Sequence, residues 1–323
     1  MEKPIKKTFL FQVVIFLLLI LSDSLVYAGS KKISFQSIKI DGYIGEVKGH
    51  NVWGFLYIPK NHNGSGIVLS HGSGGISKNT RNWSRLFNKS GYATFVIDHF
   101  KPRGVKNTIY NQSAVSPFEM AFDILVAGKL LKNRREISKN IFHAGWSKGA
   151  IAGLIAASEL YQKKSYIKSS YNAFIEFYPL CNLWLSGISS APIYIIHGEL
   201  DDYTPIIFCN KFEEEMNSRS DSNEEIVSII NIPGAYHSFD NWNLSRTYLP
   251  VKAIRKSSDD CILVYNHNLT IPVSLSKKYI ISSLKKLNEW INNCAATGVT
   301  LEGMPEVRKK VESDVLNILE NNN

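Results

Sequence analysis

Several features are scarce or missing in this 323-residue chain, and each absence narrows what it does. Cysteine occurs four times and never as C-x-x-C, which argues against a zinc ribbon or a thioredoxin-like redox site. The chain is basic, with a formal charge of +9, but it has no long run of lysine or arginine and no basic patch interleaved with aromatics. Nucleic acid is therefore not an expected partner. No apolar run reaches the roughly 20 residues that span a bilayer. No internal repeat is visible, which excludes solenoids and propellers.

The longest apolar stretch, residues 9–21, is broken only by Gln12. It follows Lys3, Lys6 and Lys7 and precedes Val26-Tyr27-Ala28, a positive-apolar-small order that reads as a secretory signal cleaved after Ala28. Cleavage removes three lysines and two acids, so the mature chain stays basic. The expectation is a secreted or periplasmic protein with no membrane span after cleavage. Its mature part, residues 29–323, is expected to form one domain. Export permits disulfides, and Cys181, Cys209, Cys261 and Cys294 allow three pairings that spacing alone does not separate.

With 44% hydrophobic residues the chain can bury a sizeable core. Residues 33–40 and 52–58 read as an antiparallel opening. Strands at 67–70, 93–97, 141–144, 173–178, 193–196 and 226–232 then alternate with helices at 80–90, 118–131, 150–157 and 205–216. That alternation predicts an α/β fold with a mainly parallel sheet and helices on both faces. Residues 241–273 lack a firm period and are expected to be irregular, with one short strand at 262–265. Helices are expected at 274–293 and 305–321.

The chemistry centres on Gly145-Trp146-Ser147-Lys148-Gly149, a G-x-S-x-G string between a strand and a small-residue helix. Such a turn lifts a serine hydroxyl clear of the backbone, and the two glycines give it room. A serine needs a base, and the base a carboxylate, in the chain order Ser, acid, His on this kind of sheet. After the strand at 193–196 come Asp201 and Asp202, of which Asp201 is the candidate acid. After the strand ending at Ile232 comes His237, the candidate base. His143, inside a strand, reads as a core residue. The Gly-rich stretch His71-Gly72-Ser73-Gly74-Gly75 follows the strand at 67–70. Its Ser73 amide, with Gly74 as the alternative, would pair with the Lys148 amide as an oxyanion hole. The Lys148 ammonium has two open readings: toward an anionic substrate or the oxyanion, or out to solvent. Trp146 and Tyr236 are the candidate substrate contacts, and His99, Arg103, Tyr178 and Trp184 are further residues that could shape a pocket.

LSHGSGG at 69–75, FVIDHFKPRGV at 95–105, AGWSKG at 144–149, HGELDDYTP at 197–205 and IPGAYHSFD at 232–240 occur in one order. Together they resemble the dienelactone hydrolase family of α/β-hydrolases, in a serine-nucleophile, exported form. The resemblance implies the α/β-hydrolase fold, a Ser147–His237–Asp201 triad, and hydrolysis of small-molecule esters or lactones without metal or organic cofactor. It also implies a Cys181–Cys209 disulfide, which leaves Cys261 for Cys294. Two other functions are weighed against it: a non-catalytic binding protein on the same scaffold, and a peptidase of the prolyl oligopeptidase type. The second lacks a propeller-sized N-terminal domain.

Overall fold

The computed structural model describes residues 29–40, 47–187, 191–219, 225–265, 269 and 271–323. The signal reading of residues 1–28 and His267 lie outside them. Strands β1 (Lys31–Ile40) and β2 (Val47–Tyr57) pair antiparallel. β3 (Gly66–Ser70), helix α1 (Lys78–Lys89), β4 (Ala93–Asp98), α2 (Pro117–Lys132), β5 (Ile141–Trp146) and α3 (Lys148–Ala157) follow. Then come α4 (Glu159–Ser165), β6 (Ala173–Phe177), β7 (Leu183–Trp184), β8 (Ile193–Gly198), α5 (Ile207–Ser218) and β9 (Val227–Ile232).

Among the described residues eight strands form the main sheet, in the order β1-β2-β4-β3-β5-β6-β8-β9. From β4 to β9 all pairs are parallel, and β2 runs antiparallel to β4. Strands β3, β4, β5 and β6 are buried along their whole length, which is why their sequences are apolar runs rather than alternations. One face packs on α2, α3 and α5 through residues such as Ile124, Leu125, Ile155 and Phe208. The other packs on α1 and a C-terminal helix, through Trp83, Phe87, Val311 and Leu319. This is the α/β-hydrolase arrangement expected from the sequence. Its parallel strands deliver Ser70, Ser147, Tyr178, Gly198 and Ile232 to one edge of the sheet.

The C-terminal quarter differs from the expectation. An eight-residue strand, β10 (Thr247–Ile254), crosses the stretch read as irregular, and short strands β11 (Leu263–Val264) and β12 (Val273–Ser274) follow. Helix α6 (Leu284–Cys294) starts ten residues later than predicted, and β13 (Ala295–Leu301) pairs antiparallel with β10 before α7 (Pro305–Asn321). Pro250 explains the missed β10. It has no N–H to donate, and the register shifts between Leu249 and Lys252, which breaks the alternation. In β13 the helix-former pair Ala295-Ala296 and Gly298, at φ +95°, hide the strand. The late helix start has a local cause. The Ser274 hydroxyl accepts from the Tyr279 amide at 2.9 Å, a side-chain bond that competes with helix, and Ser283 then caps α6 through the Lys286 amide.

The disulfide implied by the resemblance and the pair it leaves over are both present. Cys181–Cys209 joins the loop after β6 to α5, and Cys261–Cys294 joins the segment after β10 to the end of α6. Among the described residues, no helix is long and apolar enough to cross a membrane.

Candidate active site

The turn between β5 and α3 has the tight geometry its glycines predict. A Cβ at Gly149 would collide with the Ser70 carbonyl oxygen, and one at Gly145 would lie 2.8 Å from the Ala150 nitrogen. Ser147 itself sits at φ 52°, ψ −115°, a strained conformation for a residue with a side chain. That conformation turns its Oγ to His237 Nε2, 3.1 Å away. On the other side of the ring, His237 Nδ1 is 2.7 Å from Asp201 Oδ2. The order serine, imidazole, carboxylate is thus one unbroken chain of hydrogen bonds.

Asp201 is nearly fully buried, and burial alone would raise its pKa. The adjacent His237, through charge and hydrogen bond, together with His197 and the Thr204 amide, outweighs this and holds the carboxyl below its usual range. Its Oδ1 accepts from the Tyr203 and Thr204 amides, both at 2.9 Å, and its Oδ2 from the Thr204 hydroxyl at 2.9 Å. The His237 ring is held between Tyr178 and Tyr203, with centroids 4.5 and 4.9 Å away. Asp202 has a different job. It accepts from the Thr300 amide at 2.7 Å and pairs with Arg255 at 3.3 Å, tying the acid loop to β13.

The Gly-rich loop after β3 lies against the serine: a Cβ on Gly72 would be 3.3 Å from Ser147 Cβ. His71 fixes this loop from below. Its Nε2 accepts from the His99 amide at 3.2 Å, so its proton is on Nδ1 and is donated to the Gly72 carbonyl at 2.8 Å. Complete burial, with His99 nearby, lowers the His71 pKa to about 3 and keeps that tautomer neutral. The Ser73 carbonyl accepts from the Thr108 amide at 2.8 Å.

A cavity of about 250 Å³ opens at Ser147. Its walls include Trp146, Tyr178, Tyr203, Ile109, Leu244, Leu249 and Leu301, and Gly72–Gly75 forms one side. Of the two expected substrate contacts, Trp146 lines the cavity. Tyr236 stays outside its lining, half-buried, with its hydroxyl accepting from Arg246 at 3.0 Å. His99, Arg103 and Trp184 are also absent from the lining. The Lys148 ammonium follows neither open reading. It is buried, and its contacts are with Thr108 and Gln112.

Sequence reasoning passed over Asp240. Its Oδ2 accepts from Asn79 Nδ2, Trp83 Nε1 and Trp146 Nε1 at 2.7, 2.7 and 2.8 Å, and its Oδ1 from the Tyr178 hydroxyl at 2.7 Å. Three residues of the cavity lining, Asn79, Trp146 and Tyr178, therefore hang on one buried carboxylate. The available signal was its place at the end of IPGAYHSFD, three residues after His237.

A second buried chain lies beneath the elbow. Glu176 Oε1 meets His143 Nδ1 at 2.7 Å, and His143 and His99 both reach the Ser70 hydroxyl, at 2.9 and 3.1 Å. His99 continues to Asp123 at 2.7 Å, and Asp123 to Arg103 at 2.8 Å. Burial pushes Glu176 well above the usual carboxyl range and His143 down to about 3, so their contact joins two neutral groups. Glu176 Oε2 has no hydrogen-bond partner among the described residues and faces Gly145 and Gly153, which favours the protonated acid. A folded-state pKa raised above the unfolded value gives stability that is complete below about 4.5 and declines as pH rises, by roughly 1.4 kcal/mol per unit, until the folded pKa is reached. Glu176→Gln cannot ionise and is expected to lose this slope. Its stability relative to the native chain, from urea unfolding at pH 4 to 8, should climb with pH. Parallel curves would show that Glu176 is charged in the fold.

The structure is similar to several solved α/β-hydrolases. Est1E from Butyrivibrio proteoclasticus, solved with ferulic acid, is 17% identical, with 62% of this chain and 90% of that one covered and a TM-score of 0.44. A dienelactone hydrolase from Anabaena variabilis is 19% identical, with 65% and 88% covered and a TM-score of 0.46. Esterase 2 from Thermogutta terrifontis is 18% identical, with 65% and 85% covered and a TM-score of 0.48. No curated protein sequence matched the chain. The family model of the dienelactone hydrolases matches residues 52–259, a stretch that holds Ser147, Asp201 and His237 together with the loops that join them. The chain belongs to the dienelactone hydrolase family.

Proposed function

We propose that this hydrolase of the dienelactone hydrolase kind cleaves uncharged carboxylic esters or lactones through an acyl-enzyme on Ser147. The observation that carries the reading is the continuous Ser147–His237–Asp201 hydrogen-bond chain ending at a strained serine beside a cavity. His237 Nε2 takes the serine proton as Oγ attacks the carbonyl carbon. Asp201 holds the Nδ1 proton and stabilises the imidazolium that forms. The backbone amides of Ser73 and Lys148 receive the charge on the carbonyl oxygen. His237 returns its proton to the leaving alkoxide, and a water, activated by the same imidazole, frees the acid.

The cavity supports a small neutral acyl group. None of its lining residues is Lys, Arg, Asp or Glu, so a carboxylate bound there would meet neutral hydrogen-bond donors but no lysine or arginine charge to offset the water it loses. Trp146 and the leucines give apolar walls. Tyr236, outside the cavity beside Arg246, would meet only the distal part of a longer substrate. The two disulfides fit an oxidising compartment and support export from the cytosol, as the reading of residues 1–28 requires.

The test is labelling with an uncharged fluorophosphonate together with turnover of p-nitrophenyl esters, lactones and peptides. The native chain should label at Ser147 and turn over acetate and butyrate esters faster than a hemisuccinate ester. Ser147→Ala should lose labelling and about 10⁶-fold in kcat. A native chain that takes up no probe, or a Ser147→Ala variant that labels equally well, overturns the nucleophile.

A further inference from the structure

Lys148 follows Ser147 in the chain, yet its ammonium faces away from the cavity. Nζ donates to the Gln112 carbonyl and lies 3.3 Å from both Gln112 Oε1 and Thr108 Oγ1. Among the described residues it has no carboxylate within ion-pair distance. Burial without a counter-ion brings its pKa down to about 7, against a smaller upward pull from Glu119. A charge buried on neutral dipoles costs stability that a methionine of similar length would not. The fold itself therefore gives no reason for a lysine here.

The groups it grips lead back to the site by three routes. The Thr108 amide donates to the Ser73 carbonyl at 2.8 Å. Gln112 Oε1, which faces Nζ, also accepts from the Ser73 hydroxyl at 3.1 Å. Gln112 Nε2 donates to the Tyr203 hydroxyl at 3.3 Å, and Tyr203 packs on the His237 ring. Between Thr108 and Gln112, Ile109 supplies a cavity wall. We infer that Lys148 is a positioning residue: its ammonium clamps the 108–112 segment onto the Gly-rich loop and Tyr203, and so keeps the Ser73 amide and the His237 ring in register with Ser147. The inference rests on the reading of Ser147 as nucleophile.

Two variants test it. Lys148→Met removes the charge and keeps the length, and Gln112→Ala removes a half of the clamp at an exposed position where folding is not at risk. Both should speed amide exchange across 108–112 by about tenfold. Both should slow fluorophosphonate labelling of Ser147 and lower kcat on p-nitrophenyl butyrate by about 10- to 100-fold, with KM little changed, since a misplaced donor or base acts on the transition state. The thermal midpoint of Lys148→Met should be unchanged or higher. Labelling and kcat within about twofold of the native values in both variants overturn the positioning role, even if exchange rises, because a purely structural clamp would do that. A native chain that fails to label defeats the nucleophile reading instead. Exchange across 108–112 then still tests the clamp, and unchanged exchange in both variants overturns it.

Discussion

Asp201→Asn is expected to lower kcat on an ester substrate by about 10⁴-fold with little change in KM. The reason is the direction of one proton. The carboxylate accepts the Nδ1–H of His237 across 2.7 Å, which leaves Nε2 unprotonated and able to accept from Ser147. An amide at 201 would present N–H donors to Nδ1, because Oδ1 is already occupied by the Tyr203 and Thr204 amides. The imidazole would respond by moving its proton to Nε2, where it can no longer take one from the serine. Asp202→Asn is the paired control, and kcat should stay within about threefold, since that carboxylate faces Thr300 and Arg255 rather than the ring. Steady-state kinetics on the two variants decide between the acids, and equal losses would remove Asp201 from its assigned role.

Asp240→Ala should cost about 4 kcal/mol of unfolding free energy and most of the activity. The carboxylate serves four donors in a site without solvent exposure, and its main-chain oxygen takes a fifth from Arg308 at 2.6 Å. Deleting the side chain strands two indole N–H groups, an amide and a phenol in the core. Asp240→Asn is the milder change, at about 1–2 kcal/mol. Its oxygen can replace Oδ2 for the three N–H donors, while its amide turns the Tyr178 hydroxyl into an acceptor. Urea denaturation of both variants at neutral pH reads the difference. A loss under about 1 kcal/mol for the alanine variant would mean that Trp146 and Tyr178 are held by packing alone.

The sheet was legible because its strands are apolar runs bounded by glycine and its helices have capping residues at their starts, as with Ser116 before Pro117. Ser147, Asp201 and His237 could be singled out because each follows a strand end in a fixed order, and the fold brings the three together. What stayed hidden depends on contacts distant in sequence. The sequence leaves Lys148 to point toward substrate or solvent, and its actual partners arrive from a loop some 40 residues earlier. Asp240 reads as one more acid in a loop until Trp83, Trp146 and Tyr178 converge on it. The pairing of β10 with β13 was masked by Pro250 and Gly298, residues that argue against a strand when viewed one segment at a time.

That pairing brings two parts of the chain to one pocket. The family-matched stretch ends at residue 259, and Ser147, Asp201 and His237 all lie inside it. Leu301, at the end of β13, lies beyond it, yet it lines the cavity and bridges to His237, and the next amide, that of Glu302, donates to the His237 carbonyl at 3.0 Å. The C-terminal arm thus does two things at once: Leu301 shapes the cavity, while Thr300 and Glu302 brace the loops that carry Asp201 and His237.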